Sequence, residues 1–172
     1  MVMNGQTTLT ENPPLILDAT CSYTTIWPKF ATIRIDIRPR VKPDLVMDAR
    51  KTSFPDQYFD EIYCDPPHII DVRISSKSSP QGQKMKERYG YWSHPREWKE
   101  FIQATNIEFA RILKPDGVLH YKIVDGKWWG MTKLKDLLEG MTNFTVIKDR
   151  VTPSGGSKNN KTHWLTMKPK PP

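Results

Sequence analysis

The sequence predicts an α/β fold, a largely parallel sheet interleaved with helices in one domain. Three observations predict it. Short apolar runs recur at 15–17, 33–37, 45–47 and 59–64, each with a carboxylate at or just past its carboxyl end: Asp18, Asp36, Asp48 and Asp65. A helical stripe of apolar residues at 98–113 is followed by an alternating strand pattern at 118–124. A chain of 172 residues can bury one full core and is too short for two domains.

Taken in order, residues 1–14 are polar and end in Pro13-Pro14, which predicts an N-terminal arm unable to pair before the first strand. Residues 15–17 form a buried strand, Asp18-Ala19-Thr20-Cys21 turns, and 24–30 allow a short helix that Pro28 cuts off. Ile33, Ile35 and Ile37 alternate with Arg34 and Asp36, a strand with one buried face. Residues 38–43 are too few and too broken by Pro39 and Pro43 for a crossover helix, and 44–48 make a third strand. The fourth strand, 59–64, runs into Asp65-Pro66-Pro67-His68, where two prolines without N–H groups end the ladder and hold the preceding carboxylate rigidly.

Residues 69–92 are rich in Ser, Gly and Pro, which predicts a long loop. Pro95 starts a helix capped by Ser93 or His94, with Trp98, Phe101, Ile102, Thr105, Phe109, Ile112 and Leu113 facing the core. Pro115-Asp116-Gly117 ends it in a turn before a strand at 118–124, in which His120 and Lys122 read as surface residues. A second helix carries Met131, Leu134, Leu137 and Leu138 and stops at Gly140. Strands at 144–150 and 162–167 flank a flexible basic hairpin loop at 153–161. The domain is expected to span 15–167, with residues 168–172 a tail without structure.

Asp65-Pro66-Pro67-His68 resembles the Asp/Asn-Pro-Pro-aromatic motif of class I S-adenosylmethionine-dependent methyltransferases that modify exocyclic amines of nucleobases, in a small phage or microbial form. That family has Tyr, Phe or Trp where this chain has His68. The resemblance extends over residues 15–125, through Leu15-Ile16-Leu17-Asp18-Ala19-Thr20-Cys21, Phe54-Pro55-Asp56-Gln57-Tyr58-Phe59-Asp60 and the helix end and turn Ala110-Arg111-Ile112-Leu113-Lys114-Pro115-Asp116-Gly117. It implies a Rossmann-like sheet of order 3-2-1-4-5-7-6 with the last strand antiparallel and, here, reduced helices. It implies S-adenosyl-L-methionine as cofactor, held by Asp18, Ala19, Thr20, Cys21, Asp36, Asp48, Ala49 and Asp65. Asp65, Pro66, Pro67 and His68 are the expected catalytic residues. The first turn has Ala19, Cys21 and Tyr23 where glycines would let backbone approach a ligand. Each aspartate alone is also an ordinary cap or turn residue.

A formal charge of +7, from 26 basic and 19 acidic residues, suits a polyanionic partner, although basic small proteins are often simply soluble. Arg73, Lys77, Lys84, Lys86 and Arg88 interleave with Tyr89, Tyr91 and Trp92, and Lys158 and Lys161 lie in the second basic loop; these ten are the expected DNA or RNA contacts. The alternative is a solvated loop whose aromatics pack on the next helix. Cys21 and Cys64 make no disulfide framework, no spacing matches a metal site, and no apolar run reaches membrane-spanning length. A cytoplasmic protein with no metal and no membrane contact is the expectation, with homo- or hetero-oligomerisation left open. Two rival functions remain: a catalytically inactive, methyltransferase-like nucleic-acid-binding subunit, and a carbon methyltransferase with Cys64 as covalent nucleophile.

Overall fold

The computed structural model describes residues 13–23, 31–70, 80–126, 130–154 and 157–171. The strands are β1 (Ile16–Asp18), β2 (Ile33–Asp36), β3 (Leu45–Val46), β4 (Phe59–Cys64), β5 (Leu113–Asp125), β6 (Phe144–Ser154) and β7 (Ser157–Pro169). They form one seven-stranded sheet of order β3-β2-β1-β4-β5-β7-β6. The first five pair in parallel, and β7 runs antiparallel to both β5 and β6. The expected Rossmann-like order is therefore the observed one.

Three α-helices, α1 (Pro80–Tyr89), α2 (Pro95–Ile112) and α3 (Leu134–Gly140), and a single 3-10 turn at Pro39–Val41 complete the described chain. α2 starts where Pro95 follows the N-cap His94, whose Nδ1 accepts from the Arg96 N–H. Its stripe of Trp98, Phe101, Ile102, Phe109 and Ile112 packs on one sheet face, formed by Leu17, Ile62, Cys64, Leu119, Tyr121 and Ile123, with Leu137 of α3 beside it. Strand alternation puts Tyr63, His120, Lys122 and Trp164 on the opposite, half-buried face.

The chain winds outward from β1 to β3 and then returns to place β4 on the other side of β1. That reversal opens a crevice at the carboxyl ends of β1 and β4. Asp18 and Asp65 stand on its two lips.

Several local expectations are corrected. The 69–92 stretch contains α1, because its helix breakers cluster before residue 83 and Gln83 to Tyr89 are mostly good helix formers. Ile69 bridges Met131 and Ile70 bridges Trp92, so Met131 lies in an isolated β-bridge outside the sheet and α3 begins three residues later. Residues 114–117 are an irregularity inside β5, which steps from the Phe59–Leu113 pair to Glu61–Val118. The 153–161 loop is mostly ladder, with Ser154 paired to Ser157. Lys168 and Pro169 pair with Thr145 and Phe144, where a structureless tail is expected, because β6 is long enough to template them. The expected helix at 24–30 and nearly all of the N-terminal arm lie outside the described residues.

Candidate active site

Every expected cofactor and catalytic residue lines one cavity of about 1040 Å³. Asp18 lies at the end of β1, fully buried, its Oδ1 accepting from the Thr20 N–H at 3.2 Å. Its Oδ2 is buried without a partner. Burial, with Asp65 nearby, pushes this carboxyl up to about 7 despite the Thr20 hydrogen bond. Thr20 also closes the crevice, because its Oγ1 accepts from the Asp65 N–H at 2.7 Å. Burial likewise pushes the Cys21 thiol up to about 12.

Asp65 meets the opposite fate. His68 Nε2 lies 2.9 Å from Oδ1 and Lys122 Nζ lies 2.8 Å from Oδ2. Burial pushes the carboxyl upward, but those two partners outweigh it and hold it below the ordinary carboxylate range. Asp65 is thus an ionised acceptor. His68 Nδ1 is buried with no partner. Behind the motif, Trp92 Nε1 donates to the Pro67 carbonyl at 2.7 Å, and Gly90 packs against the Pro67 ring.

Asp36 and Asp48 line the same cavity, each wrapped by the arginine two residues on. Arg38 donates from its backbone N and Nε to Asp36 Oδ1 and from Nη2 to Oδ2, which also accepts from the Ser22 N–H. Arg50 holds Asp48 in the same way. Burial raises both carboxyls, and the arginines reverse this and keep them ionised. Ala49 is buried beside Asp48.

The expected nucleic-acid contacts divide. Tyr89, Tyr91 and Trp92 line the cavity, but the Trp92 ring is also packed on Trp98 and Phe101 at 5.8 and 5.0 Å between centroids. Lys86 Nζ stands 5.1 Å from the Tyr91 ring centroid and Arg88 Cζ 5.2 Å from that of Tyr89. Lys84 and Lys161 are exposed. Arg73 and Lys77 lie outside the described residues, as does the side chain of Lys158. Cys64 is fully buried and does not line the cavity, and burial pushes its thiol well up, all of which argues against a covalent nucleophile.

Sequence reading missed Lys122, Trp164 and Arg38 at this site. Lys122 sits one residue beyond the Cys64–Tyr121 pair and so beside Asp65, a fact that needs the β4–β5 register. Among the described residues, no group of three or more His, Cys, Asp or Glu is disposed to hold a metal, and no helix is long and apolar enough to cross a membrane.

No family model and no curated protein sequence matches the chain. Solved structures do match its fold. TrmN from Thermus thermophilus superposes with a TM-score of 0.59 at 16% identity, over 91% of this chain and 44% of that one, so the chain spans less than half of that protein. A SAM-dependent methyltransferase from Methanosarcina mazei gives 0.52 at 16% identity, over 90% and 92% of the two chains. The 1,6-didemethyltoxoflavin-N1-methyltransferase of Burkholderia thailandensis, solved with S-adenosylhomocysteine, gives 0.54 at 11%, over 92% and 72%. With its 3-2-1-4-5-7-6 sheet and its crevice between β1 and β4, the chain has the Rossmann-like fold of the S-adenosylmethionine-dependent methyltransferases.

Proposed function

We propose that the protein methylates an exocyclic amine of a nucleobase, adenine N6, cytosine N4 or guanine N2, in DNA or RNA, using S-adenosylmethionine. The observation that carries this reading is the pair of buried carboxylates at the sheet reversal, Asp65 with Lys122 and the His68 ring against it and Asp18 with neither, over a cavity large enough for a nucleoside-sized ligand and a second heterocycle.

The residues present fit the cofactor. Asp18 Oδ2, buried and lacking a partner, suits an ammonium group. Asp36 and Asp48 suit hydroxyl and amine donors once Arg38 and Arg50 turn away; the Arg50 side chain is 45% exposed and free to do so. Ala19, Thr20, Cys21 and Ala49 supply a small-residue wall. Bound there, S-adenosylmethionine supplies an electrophilic methyl group on a sulfonium centre.

The remaining chemistry belongs to the chain. An exocyclic amine is a weak nucleophile because its lone pair is conjugated with the ring. Asp65 and the Pro66 carbonyl, accepting its two N–H groups, would turn the lone pair toward the methyl group and stabilise positive charge developing on nitrogen; as the N–C bond forms the S–C bond would break to leave a thioether, and the methylated nitrogen would then shed one proton to solvent. Lys122 and His68 keep Asp65 ionised, hence acceptor-only. The prolines and the Trp92 bond to Pro67 fix the acceptors before the base arrives. His68 would lie against the base, which must be unpaired or flipped out.

The test is Asp65→Ala. Transfer of labelled methyl from S-adenosylmethionine to separate DNA and RNA pools, read by nucleoside mass spectrometry, should be lost, while calorimetric cofactor binding stays near wild type. Equal loss of both contradicts the role. A second reading, a nucleic-acid-binding subunit without catalysis, is favoured by the saturation of Asp36 and Asp48 by Arg38 and Arg50. No heat of binding at millimolar cofactor would select it.

A further inference from the structure

Strand register sets four side chains in one row across the sheet, leading out of the candidate site. Cys64 pairs with Tyr121, which brings Asp65 beside Lys122; Lys122 pairs with Trp164; and Trp164 pairs with Arg150. Directly paired residues share a face, and strands lie about 4.8 Å apart, so the row runs about 14 Å from the reacting position toward the sheet edge. Lys122 Nζ lies 5.4 Å and Arg150 Cζ 5.1 Å from the Trp164 ring centroid. The indole Nε1 donates to Thr152 Oγ1 at 3.1 Å, which fixes the plane of the ring.

The acids nearby are already matched. Asp149, next to Arg150 in sequence, points to the other face and pairs with His163 Nδ1 at 2.8 Å. Glu61, on the same face as the row, accepts from the Tyr63 hydroxyl and lies 3.2 Å from His120 Nε2. Asp65 has Lys122 and His68. The outer end of the row is thus an oriented indole with an exposed guanidinium, and both Lys122 and Trp164 also line the cavity.

We propose that this row binds the nucleotide adjacent to the target in a single-stranded DNA or RNA: Trp164 stacks on the neighbouring base and Arg150 neutralises its phosphate. The inference rests on the nucleobase reading of the Asp65 site. Lys122 and Arg150 both stand over the indole, so a base takes its place on the ring as the exposed Arg150 swings from it to the flanking phosphate, and stacking of this kind tolerates any base. It puts strand contacts on β6 and β7, apart from the basic residues of the 69–92 stretch.

Fluorescence anisotropy with labelled single-stranded DNA and RNA oligomers, across a salt series, tests it. Trp164→Ala should weaken binding by about 5- to 150-fold, and Trp164→Phe should recover most of the loss. Arg150→Gln should reduce the magnitude of the log–log salt slope by about 0.7, as for one lost phosphate contact on a single strand. Arg150 is exposed, so that variant folds even where Trp164→Ala does not. Binding by wild type that neither the Arg150→Gln nor the folded Trp164 variants alter, in affinity or slope, overturns the row and leaves the base reading standing. Wild type that methylates a free nucleoside yet binds neither oligomer also overturns the row alone. Wild type that binds S-adenosylmethionine but methylates neither polymer nor nucleoside removes the base reading, and the row with it.

Discussion

Asp18 and Asp65 are the same residue type at equivalent strand ends, and their surroundings drive them apart. Lys122 and His68 match Asp65, whereas Asp18 has one backbone N–H and an orphaned oxygen, so its carboxyl rises to about 7. An unfolded aspartate titrates near pH ~3.9. Between about pH 4 and 7 the native state keeps a proton that the unfolded state has lost, so the Asp18 contribution to stability declines across that window as pH rises. Asp18→Asn, which cannot ionise, escapes the decline. Its thermal midpoint should exceed wild type at pH 8, by about 2–4 °C per kcal/mol, with the margin gone by about pH 4. Cofactor affinity should move oppositely in wild type. Below about pH 7 it falls by up to about tenfold per pH unit as Asp18 takes up its proton, and Asp18→Asn should bind weakly with no such dependence. Calorimetry from pH 5 to 8 checks both. The identity of these aspartates was legible in the chain; which of them is matched was not, because Lys122 is 57 residues from Asp65 in sequence.

At the scale of elements, α1 is held over the crevice by its carboxyl end. Arg38 Nη1 and Ser22 Oγ donate to the Arg88 carbonyl and Arg40 Nη2 to that of Glu87, cations and donors placed where a helix exposes unpaired carbonyls. Arg38 therefore ties α1 to the same carboxylate, Asp36, that is expected to hold the cofactor. In Arg38→Ala, amides of residues 84–90 should exchange hydrogen faster than in wild type, measured by mass spectrometry; unchanged protection would mean that Arg40 and Ser22 suffice. Gly90, directly after α1, has φ +80° and would set a Cβ 3.0 Å from Pro67 Cγ. Gly90→Ala should cost about 1–2 kcal/mol from its backbone conformation, read by urea unfolding, and should slow transfer further by moving Pro67. Residue composition hid α1, because the Ser, Gly and Pro of 75–82 were averaged with the helix formers that follow.

At the scale of the whole molecule, the described residues place one layer of helix, α2 with α3, on one sheet face, and this layer carries their core. Trp98 of α2 is fully buried against Phe101 and Trp92. Trp98→Ala should cost about 3–5 kcal/mol in urea unfolding and, through Trp92, loosen the Pro67 carbonyl in the candidate site. The same layering leaves the other face to Tyr63, His120, Lys122 and Trp164. By itself the sequence determined the strands, the α2 stripe and the four carboxylates at strand ends, because period, capping residues and Pro-Pro stops are local properties of the chain. Only the tertiary structure decided that Lys122 reaches Asp65 while Asp18 Oδ2 is left without a partner, and that Lys122, Trp164 and Arg150 stand in line with Asp65. Such neighbours are set by strand register, which fixes contacts between residues tens of positions apart and leaves no periodic trace in either strand alone.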